Sequence, residues 1–134
     1  MILLDTHVLR WLAEGDRRLG VRALDRLRDD GELRASAISY WEFGMLSDKG
    51  KLVFSRPVRQ WLDAVLAEGG IEAVPVTTGV AADAGTLPGL AHGDPADRIL
   101  IATARALGCA LATADRRILE YGGTGRVLTI DARR

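Results

Sequence analysis

Four carboxylates in this chain stand where acids can do chemistry: Asp5, Glu42, Asp97 and Asp115. Asp5 follows a short apolar run and opens a helical stretch. Glu42 lies one turn into the helix after a second apolar run. Asp97 lies one turn into an apolar helix, and Asp115 follows the run Cys109–Thr113. In a parallel sheet, strand C-termini and the N-termini of the helices that follow share one edge, where open α/β sheets place their sites. If Asp5 ends the central strand, the other three acids can converge on it. Carboxylates packed so closely repel one another and hold protons unless a cation neutralises them. An all-oxygen donor set without His or Cys suits a hard ion, Mg²⁺ or Mn²⁺. Such ions promote hydrolysis of phosphate esters and phosphodiesters.

Each acid also has a plainer use. Ser39-Tyr-Trp-Glu42 matches a capping box. Asp94 before Pro95 is a good N-cap, and Asp97 is a first-turn acid favoured by the helix dipole. Asp5 and Asp115 also suit N-caps. Yet Ser, Thr or Asn would cap as well, and caps need not gather on one edge. The residues by themselves leave both uses open.

The elements that must position these acids alternate. Strands are predicted at Met1–Leu4, Leu33–Ala37, Ile71–Val76, Cys109–Thr113 and Val127–Ile130. Helices are predicted at Thr6–Ala13, Leu19–Arg28, Ser39–Leu46, from Pro57 through Leu66, Thr77–Ala84, Pro95–Leu107 and Asp115–Tyr121. Only Thr103 and Arg105 interrupt the apolar surface of the helix between Ile99 and Leu107, so it reads as buried. Strand–helix alternation argues for a parallel sheet covered on both faces by right-handed crossovers.

The length of 134 residues fits a single domain, 1–134, with 48% hydrophobic and 27% charged residues. The net charge of +0 gives no overall basic field, so an anionic partner must be met by a local patch. Cys109 has no partner for a disulfide. No signal-peptide pattern or membrane-spanning run is present, and a cytoplasmic location is expected. Gly122–Gly125 precedes a strand and not a helix, which excludes a dinucleotide fingerprint. There is no P-loop and no nucleophile elbow, and His7 and His92 form no zinc motif.

In order along the chain, several segments resemble the PIN-domain ribonucleases, and among them the VapC-type toxins of toxin–antitoxin pairs. Leu3-Leu-Asp-Thr-His-Val-Leu-Arg-Trp-Leu12 resembles the opening strand with the first acid, and Ser39-Tyr-Trp-Glu-Phe43 the second-acid helix. Lys49-Gly-Lys-Leu52 and Trp61-Leu62 resemble the clip-like helical pair. Leu87–Arg98 with Ile101-Ala-Thr-Ala104 resembles the third-acid motif of one subgroup, and Leu111-Ala-Thr-Ala-Asp115 the last acid's strand end. Ala112 stands where such strands more often carry a larger aliphatic.

The resemblance implies a three-layer α/β/α sandwich with a central parallel sheet. It implies endonucleolytic cleavage of RNA with a metal site, Mg²⁺ or Mn²⁺, at Asp5, Glu42, Asp97 and Asp115. Asp97 is then the third acid and Asp94 its cap. Asp5 and Asp97 would bind the principal ion. Glu42 and Asp115 would act through water or a second ion and orient the attacking water, leaving a 5′-phosphate. Thr6, Ser39 and Thr113 are candidates to hydrogen-bond the carboxylates or the scissile phosphate. Arg98 and Arg116, each beside a site acid, are candidates for RNA phosphates, with a solvated surface or an exposed ion pair as their ordinary use. The family also implies a homodimer and a small antitoxin covering the site. Tyr40, Trp41 and Phe43 with Lys49–Trp61 are candidates for either surface, although packing is the simpler use of Trp61. A binding-only PIN module is the alternative function. A phosphatase of the haloacid-dehalogenase type needs a second Asp where His7 stands.

Overall fold

The computed structural model describes residues 1–134. Five strands, β1 (Ile2–Leu4), β2 (Leu33–Ser36), β3 (Glu72–Val74), β4 (Ala110–Thr113) and β5 (Thr129–Asp131), form one sheet in the order β3-β2-β1-β4-β5. Every pairing is parallel, with Leu4 beside Ala35 on one side and Ala112 on the other. The order reverses at β1, which makes the crevice between β1 and β4 the switch point of the sheet.

Seven helices cover it: α1 (Thr6–Glu14), α2 (Val21–Asp30), α3 (Ala37–Asp48), α4 (Val58–Gly69), α5 (Thr78–Gly85), α6 (Pro95–Leu107) and α7 (Arg116–Gly122). Alternation along β1 sorts the core. Ile2 and Leu4 face Val8, Leu9, Leu27 and Leu62 of α1, α2 and α4, with Phe43 of α3. Leu3 faces Val80, Leu100, Ile101 and Ile118 of α5, α6 and α7. This is the expected three-layer sandwich. Burying a Leu or Ile side chain fully contributes about 1.5–3 kcal/mol, and Leu100, Ile101 and Ala104 are all fully buried. The body of α6 behind Asp97 is thereby fixed in the core.

Helix ends follow from local chemistry. Asp94 caps α6 by accepting from the Asp97 amide at 3.0 Å, Pro95 takes the first position, and Gly108 ends the helix at φ 63°. Gly20, which begins α2 without a side-chain cap, is needed for space, because a Cβ there would collide with the backbone of Arg133 and Arg134. The C-terminal carbonyls cap this helix instead, Gly20 N–H donating to Ala132 O and Arg22 N–H to Arg134 O.

Some boundaries differ from the sequence expectation. Helix α3 begins two residues earlier, with Ser36 accepting from the Ile38 amide at 3.1 Å, so the Ser39–Glu42 capping box does not form. Pro57 is the residue before α4, not its first. Strands β3 and β5 span only Glu72–Val74 and Thr129–Asp131 at the two edges of the sheet. Thr103 belongs to the buried surface of α6, its hydroxyl donating to Ile99 O at 2.6 Å.

Candidate active site

The four acids occupy one edge of the sheet. Asp5 directly follows central strand β1 and is the N-cap of α1. Asp115 lies just past β4 and caps α7, accepting from the Arg117 and Ile118 amides at 2.8 and 3.3 Å. Glu42 sits in the second turn of α3, which follows β2, and Asp97 in the first turn of α6. Two neighbours of β1 therefore supply acids on either side of Asp5.

A chain of hydroxyls joins them. Asp5 is only 2% exposed. Its Oδ1 accepts from the Thr6 amide at 2.7 Å and its Oδ2 from Thr113 Oγ1 at 2.6 Å. The same Thr113 hydroxyl accepts from the Asp115 amide at 3.0 Å. Thr6 Oγ1 donates to Glu42 Oε1 at 2.6 Å and lies 2.8 Å from Ser39 Oγ. A hydroxyl has one proton to donate, so Ser39 is the donor to Thr6. Ser39 and Glu42, three residues apart on α3, thus face Thr6 together. Thr6, Ser39 and Thr113 all contact the carboxylate network directly.

Burial and like charge act on the acids together. Burial raises Asp5 above the usual carboxylate range, against the pull of His7 and its hydrogen bonds, and Asp115 adds to the rise. Glu42 is pushed up to about 7, by burial first and then by the charges of Asp5, Asp97 and Asp94. Asp97 is raised by burial, with Asp5, Asp94 and Asp115 contributing. These mutual effects mean that the four side chains share one electrostatic field. No Lys or Arg makes an ion pair with Asp5, Glu42 or Asp97; His7 Nε2 lies 3.6 Å from Asp5 Oδ2 and His92 Nε2 2.7 Å from Asp97 Oδ2.

Hard oxygen donors in an anionic field fit a divalent cation. As they stand, no three His, Cys, Asp or Glu side chains close on one point as a finished ion cage. Each acid is instead turned to its own partner: Asp5 to Thr113, Glu42 to Thr6, Asp97 to His92 and Asp115 to the α7 amides.

The two arginines part company. Arg98 is committed to backbone, Nε donating to Ala84 O at 2.7 Å and Nη1 to Leu90 O and His92 O at 3.1 and 2.9 Å. This occupation ties it to the loop before α6. Arg116 is exposed and lines an open cleft beside Asp115 with Asp131, Arg133 and Arg134. Among the aromatics, Phe43 is buried and packs edge-on against Trp61 at 5.3 Å, and the Tyr40 hydroxyl donates to Asp63 at 2.6 Å, whereas Trp41 is 57% exposed. Sequence reasoning assigned nothing to His92. Its only signal was a ring placed five residues before Asp97, within reach once the intervening loop folds back.

Fold and site together define the class: a parallel α/β domain with an acidic centre at its switch point. A protein-family model described as "PIN domain" matches residues 2–123, and the chain belongs to the PIN-domain family. It is 39% identical over 120 residues to "Ribonuclease VapC22" of Mycobacterium tuberculosis (strain ATCC 25618 / H37Rv), covering 90% of this chain and 91% of that protein. Solved structures share the fold. A toxin–antitoxin complex from Klebsiella pneumoniae matches with TM-score 0.66 and 19% identity, covering 97% of this chain and 96% of that one. VapBC2 from Rickettsia felis bound to a promoter DNA fragment matches with TM-score 0.67 and 18% identity, covering 97% and 98%. No helix is long and apolar enough to cross a membrane.

Proposed function

We propose that this chain is an endoribonuclease of the VapC type, the toxin of a toxin–antitoxin pair, hydrolysing RNA at Asp5, Glu42, Asp97 and Asp115 with Mg²⁺ or Mn²⁺. The observation that carries this is the gathering of four acids along one edge of the sheet at its switch point, where burial and mutual charge raise the pKa of three of them. The identity to a ribonuclease over most of both chains supports the substrate class.

Asp5 and Asp97 would hold the principal ion, with Glu42 and Asp115 completing the site through water or a second ion. The ion, when bound, supplies positive charge opposite the phosphate and makes water more acidic. Thr113 holds Asp5 by Oδ2, and the Thr6 hydroxyl fixes Glu42 by Oε1. Glu42 Oε2 is then free to take a proton from the attacking water. In-line attack on phosphorus would break the bond to the 3′-oxygen, which takes up a proton from solvent, so that the products are a 3′-hydroxyl and a 5′-phosphate. Exposed Arg116 would meet a flanking phosphate, and Arg98 would act from the loop that it holds.

For the antitoxin we assign the groove between α1 and α4, about 350 Å³, lined by Arg10, Leu52, Val53, Phe54, Trp61 and Val65. Val53 is 94% exposed at its rim, and Leu52, Phe54, Trp61 and Val65 sit among the charged Arg10, Glu14, Arg56 and Glu68, a mixed lining that suits an amphipathic partner helix. Exposed Trp41 on α3 suits contact with a second copy in a homodimer.

The experiment is RNA cleavage with and without Mg²⁺, comparing the parent with Asp97→Asn. The parent should cut only with the metal and the variant not at all, with its fold intact by circular dichroism. Undiminished cutting by the variant would exclude the metal site.

A further inference from the structure

We propose that His92 is a positioning residue for Asp97: it holds Oδ2 through Nε2–H and leaves Oδ1 as the atom offered to the cation. This rests on the four-carboxylate site proposed above.

The distance is 2.7 Å, and the two side chains are 8% and 15% exposed. Asp97 has no other side-chain hydrogen bond to hold it. An aspartate carboxylate turns broadly about its last torsion, so one firm donor decides which oxygen faces the site. An ionised carboxylate can only accept, so Nε2 carries the ring proton.

His92 is itself held. Arg98, the residue after Asp97, bonds the carbonyls of Leu90 and His92 and ties both to Ala84 of α5. From the other side, the Tyr121 hydroxyl of α7 donates to Pro88 O at 2.8 Å. Leu87 is buried at the start of the same loop. One turn of α6 therefore carries both the acid and the clamp on the residue that orients it. A ring needed only for packing would not have to aim its polar atom at a site acid. Partners that orient a ligating side chain change metal affinity by about 10–100-fold when removed.

The test is Mn²⁺ binding by isothermal titration calorimetry on the full chain without RNA, for the parent, His92→Ala, His92→Gln and Asp97→Asn. His92→Ala should bind Mn²⁺ about tenfold more weakly. His92→Gln, whose amide N–H can still donate to Asp97, should stay close to the parent. Parent-like binding by His92→Ala, with Asp97→Asn defective, would overturn the positioning role alone. Equal losses in His92→Ala and His92→Gln would also overturn it, since ring packing would then be what matters. Parent-like binding by Asp97→Asn would overturn the carboxylate site and this role with it. If His92→Ala fails to fold, the comparison of His92→Gln with the parent decides: a tenfold loss overturns the role and retention supports it.

Discussion

Thr6 Oγ1 donates to Glu42 Oε1 at 2.6 Å, across 36 residues of chain, while lying 2.8 Å from Ser39 Oγ. This one hydroxyl joins the helix after β1 to the helix after β2. Thr6→Val keeps the shape and removes the relay, leaving the buried Ser39 hydroxyl and Glu42 without their partner. A lost buried hydrogen bond of this kind costs about 1–3 kcal/mol. Thermal melting should show that loss, and RNA cleavage should fall about tenfold because Glu42 is no longer oriented. Thr6→Ser, which keeps the hydroxyl, should recover most of both.

Glu42 makes the metal-free protein less stable as pH rises. Its carboxyl is raised from the ordinary 4.5 to about 7, chiefly by burial. Between those two values the folded chain keeps a proton that the unfolded chain has lost. Stability from this group is therefore full below about pH 4.5, falls as pH climbs toward 7, and stays low above it. Glu42→Gln removes the dependence. In chelator, Glu42→Gln and the parent should melt alike near pH 4.5. Near pH 8 the variant should be more stable by about 2 kcal/mol, allowing for partial exposure. Equal melting temperatures at both pH values would refute the assignment.

Divalent metal should reverse that trend. A ligand that binds only the folded state at a hundredfold excess over its Kd stabilises by about 2.7 kcal/mol. Mg²⁺ should raise the melting temperature more at pH 8 than at pH 5.5, where protons compete for the raised carboxyls of Asp5, Glu42 and Asp97. Asp97→Asn should lose most of this increment. Differential scanning calorimetry with and without the ion measures it directly.

What could be read in the sequence divides along physical lines. Met1–Leu4 is apolar throughout, which marks a strand covered on both faces, but that this strand is central, with Asp5 at the switch point, follows from its pairing with β2 and β4, which no local pattern carries. Asp94, Pro95 and Gly108 marked both ends of α6, since caps are local chemistry. Ser39 misled for the same reason: a Ser three residues before a Glu satisfies the local rule, but the true cap is Ser36 and Ser39 faces Thr6. Partners distant in sequence left no periodic trace. Nothing local separates Arg98 from Arg116, and nothing in the spacing shows that the loop before α6 turns His92 back onto Asp97.

The two arginines should therefore fail differently when removed. Arg98 makes three hydrogen bonds to backbone carbonyls in a half-buried setting, and charge-assisted bonds of this kind are worth about 1.5–3 kcal/mol each before the side chain's own cost. Arg98→Met should lower the melting temperature markedly and release the loop carrying His92 to rapid amide exchange. Arg116 is exposed at the start of α7, where substitution changes stability by no more than about 0.5 kcal/mol. If it meets a phosphate of single-stranded RNA, Arg116→Ala should weaken RNA binding and flatten the salt dependence of log K by about 0.7. Filter binding across a salt series, with catalysis blocked by Asp97→Asn in both backgrounds, isolates that slope. An unchanged slope would place the flanking phosphate elsewhere, with Arg133 as the next side chain in the same cleft to remove.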